Sequence, residues 1–134
     1  MFTNSISFGT ITPLTFDAAL DACRQALADE GFGILHEFDF RATLQAKTGT
    51  DVGPYTVLAA CHPESAAQAL TRHPEVGVLL PCNVTVSDEG GDTVIRAINP
   101  KAAMEYLDSE EIDEIAAEIA GRLRCVLDSV SDLG

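Results

Sequence analysis

Basic side chains are few in this sequence. Eight lysines and arginines stand against 21 aspartates and glutamates, a formal charge of −13. Lysine occurs only as Lys47 and Lys101. Such a surface repels phosphate backbones and anionic membranes, so no nucleic-acid partner is expected. The acidic, lysine-poor, alanine-rich composition fits a salty cytoplasm and, equally, a biased genome. Long apolar runs are also missing, and none approaches the length of a membrane span, so no membrane association is expected. The opening MFTNSISFGT lacks the basic start and apolar block of a secretory signal. A cytoplasmic location is expected, where the four cysteines stay reduced. Familiar signatures are absent too: there is no GxGxxG, Walker loop, GxSxG, HExxH or CxxC. The residues alone name no reaction and no cofactor.

What is present suits a globular protein. The chain is 46% hydrophobic over 134 residues, enough for one domain with a real core, expected over residues 1–134. The clearest two-residue period runs from Glu75 to Ser87. Val76, Val78, Leu80, Cys82, Val84 and Val86 share one parity, which predicts a strand with one apolar face. The opposite face is mixed and suits solvent, a covering helix or an interface. Pro81 cannot donate to a ladder, which predicts a bulge or an edge there.

The remaining elements follow in order. Ser5 to Ile11 alternates and predicts a first strand. Thr15 predicts a helix N-cap, followed by Phe16, Ala19, Leu20, Cys23 and Leu27 at helical spacing, with Gly31 ending the helix. Phe32 to Phe38 predicts a second strand, with His36 on a mostly apolar face. A lone histidine there is more often a hydrogen-bonded structural residue than a ligand. Asp39 predicts the cap of a short helix to Lys47, anchored by Leu44 and closed by Gly49. Tyr55 to Cys61 predicts a third strand. Pro63 opens a helix whose stripe is Ala66, Ala67 and Leu70, stopped at His73-Pro74. Asp88 to Asp92 is a hairpin turn with two permissive glycines, followed by a fifth strand from Thr93 to Ile98. Asn99-Pro100 opens a short helix, Lys101 to Leu107. Ser109 caps the last helix, whose stripe is Ile112, Ile115, Ile119, Leu123, Val126, Leu127 and Val130. Cys23 and Cys125 both sit in helical patterns and are expected as small buried hydrophobes. Strands ending in a hairpin, with a long C-terminal helix, predict an α+β domain: a mainly antiparallel sheet with helices on one face.

One cluster bears chemistry: Cys61-His62 and Cys82-Asn83, each beside a proline. Neighbouring strands would bring the two cysteines together. Two thiolates and an imidazole at Cys61, His62 and Cys82 suit a soft metal such as zinc or Cu(I). A histidine and a helix N-terminus would instead lower a thiol pKa. The bland alternative is that both cysteines only pack, and Cys82 shares its parity with valines. The acid pairs Glu110/Glu114 and Glu114/Glu118 read as a solvated helix face.

The same residues carry a family resemblance. YTVLAACHPESAAQAL followed by EVGVLLPCNVTV resembles the DUF302 family of uncharacterised small bacterial and archaeal proteins. The pattern there runs tyrosine, an aliphatic pair, Ala-Cys-Asn-Pro, a helix, then Gly-x-Leu-Leu-Pro-Cys-Asn-Val. Glu30-Gly-Phe-Gly and Glu37-Phe-Asp39 also match, so the resemblance spans essentially the whole chain. Leu-Pro-Cys-Asn is its most specific part. His62 departs from the pattern, where asparagine is usual. Asparagine is the better N-cap, so His62 weakens the helix start or leaves room for a ligand role. The resemblance implies a TATA-binding-protein-like fold, strand-helix-four strands-helix, in a homodimer. It implies no DNA binding, and the family has no settled activity. The resulting expectation is a cytoplasmic dimer binding an unknown small ligand near Cys61, His62, Cys82 and Asn83. The alternatives are a thiol- or soft-metal-dependent enzyme or sensor there, and a structural or protein-interaction dimer.

Overall fold

Three capping side chains set where three of the helices begin. Thr15 accepts from the Ala18 N–H, Asp39 from Ala42 and Ser109 from Ile112. Each satisfies one of the donors that a helix start leaves free. In the computed structural model, which describes residues 1–133, these caps open α1 (Phe16–Asp29), α2 (Phe40–Thr48) and α5 (Glu110–Ser131). Helices α3 (Pro63–Arg72) and α4 (Pro100–Met104) each start at a proline, which needs no N–H partner there. No helix among the described residues is long and apolar enough to cross a membrane.

The strands are β1 (Phe2–Thr3), β2 (Ser7–Thr12), β3 (Gly33–Asp39), β4 (Tyr55–Cys61), β5 (Cys82–Glu89) and β6 (Asp92–Ile98). They form one sheet in the order β1-β2-β6-β5-β4-β3, with every pairing antiparallel. From β2 to α5 the main elements run strand, helix, four strands, helix, the expected α+β arrangement. Gly90 and Gly91 close the β5–β6 hairpin, both at positive φ, where glycine escapes the Cβ clash.

One sheet face carries the core. Phe8, Leu58, Ala60, Cys82, Val84, Val86, Ile95 and Ala97 meet α1 and α5 there. The α5 stripe is buried throughout, except that Ile115 is half-buried. A second, smaller cluster lies under α3 and α4: Ala69, Val76, Met104, Ile112 and Ala116. The N-terminal half of α5 joins the two.

The structure corrects several expectations. The alternation from Glu75 is not one strand: Pro74–Leu79 is a 3-10 helix, and β5 starts only at Cys82. A cis Leu80–Pro81 peptide lies between them. Val76 is buried while Val78 is 88% exposed, so their shared parity carried no common face. Proline at both ends and Gly77 within favour tight turns over a ladder. A sixth strand, β1, pairs Phe2 with Gly9 at the sheet edge. In β3 the register shifts between Ile34 and His36. Such a bulge flips the side chains beyond it. Phe32 and Ile34 pack on the core, but His36 pairs with Ala59 on the opposite face, its ring tilted against Phe38. The buried face of α3 is Ser65 and Ala69, and Leu70 is 39% exposed. Cys23 is buried as expected, but Cys125 is exposed.

Candidate functional site

The site forms where β4 ends, α3 begins and β5 begins. Ala60 of β4 lies opposite Cys82 of β5. Cys61 is one residue further and is the last of its strand. His62 then takes the N-cap position of α3, with extended backbone and no side-chain bond to a helix N–H. Its imidazole turns elsewhere. Nδ1 shares a 2.9 Å hydrogen bond with the hydroxyl of Ser65, which donates when the ring proton sits on Nε2. The ring meets Phe32 edge-on at 5.5 Å. Nε2 lies against Gly31, which takes φ +85° where a Cβ would come within 3.2 Å of that nitrogen.

Beneath this pair lies a small, partly open cavity of about 30 Å³. Its walls include Cys61, Cys82, Leu80, Met104, Ala116 and Ile119, with His62 and Ser65 at one side. The lining is almost wholly apolar. One water-sized sphere needs about 10–15 Å³, so the space suits a molecule of very few heavy atoms. His62 and Ser65 also line an outer groove with Glu64, Gln68 and Glu118. The two side chains therefore stand between cavity and solvent.

The thiols differ in setting. Cys82 is 7% exposed, and burial, with the nearby Cys61 thiol second, pushes its pKa up to about 11. Cys61 is half-buried. Burial holds the Cys23 thiol, away in the core, at about 12.

Of the four residues singled out from the sequence, three line one cavity. Asn83 does not. It pairs with Ala59, on the sheet face opposite to Cys82, and is exposed. There it shares a shallow groove with Tyr55, Thr85, Arg96 and Ile98. Successive residues of a strand point to opposite faces, so Cys82 and Asn83 cannot serve one site. No group of three or more His, Cys, Asp or Glu side chains among the described residues is arranged to hold a metal ion. Cys61, His62 and Cys82 thus share a wall without forming a three-ligand set, because His62 is turned to Ser65 and Gly31. Ser65, Ala69, Val76, Met104 and Ala116 were not anticipated. Ser65 follows His62 by three residues, the spacing at which a cap residue meets the first turn, and this was its one sequence signal.

Fold and site together define a two-layer α+β protein with a small apolar cavity between strand ends and helices. The domain of unknown function DUF302 matches residues 8–130, and the chain belongs to that family. No curated protein matches it. Among solved structures it is similar to an uncharacterized conserved DUF302 protein from Bacillus stearothermophilus. The identity is 30% and the TM-score 0.87, over 92% of this chain and 97% of the other.

Proposed function

We propose that the protein binds a small, largely apolar ligand in the cavity beneath His62, and that it works as a cytoplasmic homodimer. The observation that carries this reading is the apolar lining of the cavity. A space lined by Leu80, Met104 and Ile119, with one polar pair at its side, matches the general form of a small-molecule site. The dimer is supported by the outer sheet face, where Phe38 is 44% exposed, beside Phe40 and the half-buried Tyr55. The family resemblance implies the same. The surface charge of −13 argues against nucleic acid as the ligand.

Two measurements test it. Native and denatured masses of the purified protein read the stoichiometry and any retained ligand together. Methane under pressure, followed by amide NMR, probes the cavity directly. The expected result is a dimer mass and shifts confined to residues around Ala69 and Ala116, abolished by Ala69→Leu. A bare monomer with no methane-induced shift overturns the reading. The shared position of Cys61 and Cys82 in the cavity wall favours a second reading, a thiol-based site at the same place.

A further inference from the structure

We propose that Cys61 and Cys82 form a reactive dithiol, which hydroperoxides oxidise to a reversible disulfide across the β4–β5 strand ends. The backbone permits the bond. Opposed residues in an antiparallel pair lie about 4.5–5.5 Å apart, and a step along the strand is about 3.4 Å. Cys61 is one step from the residue opposite Cys82, so the two Cα atoms are about 6 Å apart, inside the usual disulfide range of about 4.4–6.8 Å. A regular strand would point Cys61 away from Cys82. Here β4 stops at Cys61 and the chain turns into α3, and both side chains line the same cavity.

The two settings assign the roles. Cys61 is half-buried, beside His62 and one residue before the N-cap of a ten-residue helix. Partial exposure lets a peroxide reach its sulfur. Cys82 is buried, and its raised pKa keeps it a neutral thiol. Cys61 therefore meets the oxidant first. Its thiolate attacks the terminal oxygen of the peroxide and the O–O bond breaks. The product is Cys61 sulfenic acid, and the departing oxygen takes a proton to leave as water or alcohol. The Cys82 sulfur then attacks the Cys61 sulfur and expels hydroxide, which takes the Cys82 proton. Two thiols lose two electrons and the peroxide gains them. The new bond draws two lining side chains together, so where the cavity binds a ligand, oxidation lowers that binding. This last point rests on the proposed function; the dithiol does not.

The test reads the bond itself. Reduced protein is treated with equimolar hydrogen peroxide, unfolded, alkylated and weighed intact. Four alkylatable thiols are expected to fall to two, and a sample weighed before alkylation should be lighter by about two mass units per chain. The cross-linked peptides should contain Cys61 and Cys82, and dithiothreitol should restore four thiols. Cys125→Ser should leave the cross-link intact. In Cys82→Ser, dimedone should trap a sulfenic acid on Cys61; in Cys61→Ser, no adduct should form on Cys82. Four alkylated thiols after peroxide, or a further oxidised Cys61 without a cross-link, overturns the dithiol. If the methane shifts persist in that case, the cavity reading stands and only the redox proposal falls. If the cross-link forms and no small molecule binds, the reverse holds.

Discussion

A single glycine packs against the histidine at this site. Gly31 follows α1 at φ +85°, a region that costs an L-residue about 1–2 kcal/mol. A Cβ there would lie 3.2 Å from the His62 Nε2, close enough that the ring must give way. Gly31→Ala should therefore destabilise the protein by about 1–2 kcal/mol and displace His62. Urea melts measure the first effect, and the His62 ring resonances report the second. An unshifted ring would show that the His62–Ser65 bond, not Gly31, holds the imidazole. His62 illustrates how little residue identity reveals by itself. Its place before Pro63 marked a helix start, but only the fold showed its ring bonded to Ser65 rather than to a helix N–H.

At the scale of elements, α5 connects both core clusters. Ile112 and Ala116 belong to the smaller one, and Ile119 to Val130 belong to the larger. Ile119 is 5% exposed, so Ile119→Asp buries an unpaired charge between them. Little soluble folded protein should remain, as measured by soluble yield and melting of what survives. A melting temperature equal to the parent's would show α5 detached from the core. The β5–β6 hairpin makes a pH prediction. Arg96, and then Ser87, hold the Glu89 carboxyl down at about 2. Its ordinary value is about 4.3. A depressed carboxylate stabilises the fold above its unfolded pKa, and that contribution is lost as pH falls through the folded one. Arg96→Met should therefore flatten the fall in stability between about pH 4.5 and 2. The effect should be small, because both side chains are partly open to screening solvent. Urea midpoints across that window decide it; an unchanged slope sinks the assignment.

Charge governs the molecule as a whole. With −13 over 134 residues, self-repulsion acts against the compact state. Salt at about 0.1–0.2 M shortens the screening length to about 8–10 Å. The melting temperature should rise as sodium chloride is added from low salt to that range. A fall would indicate that surface pairs such as Arg24–Glu37 and Arg41–Asp51 outweigh the repulsion. Duplex DNA should show no sub-micromolar complex at physiological salt. A filter-binding or anisotropy titration checks this.

Short-range chemistry determined what the sequence could determine. Thr15, Asp39, Asn99 and Ser109 mark helix starts because capping acts within three residues. The α5 stripe and the alternation of Cys82, Val84 and Val86 were legible because burial repeats with helix and strand period. What the sequence left open depends on contacts between distant segments. A period of two cannot distinguish the Pro74–Leu79 3-10 turn from a strand, since only the fold buries Val76 and exposes Val78. The β3 bulge, which puts His36 and Phe32 on opposite faces, is set by pairing with β4. Cys61 and Cys82 share a cavity because β4 ends where α3 turns away, whereas pleating sends Asn83 through to the other side. The site is thus assembled by strand register and helix placement, which act across tens of residues and leave no local pattern to read.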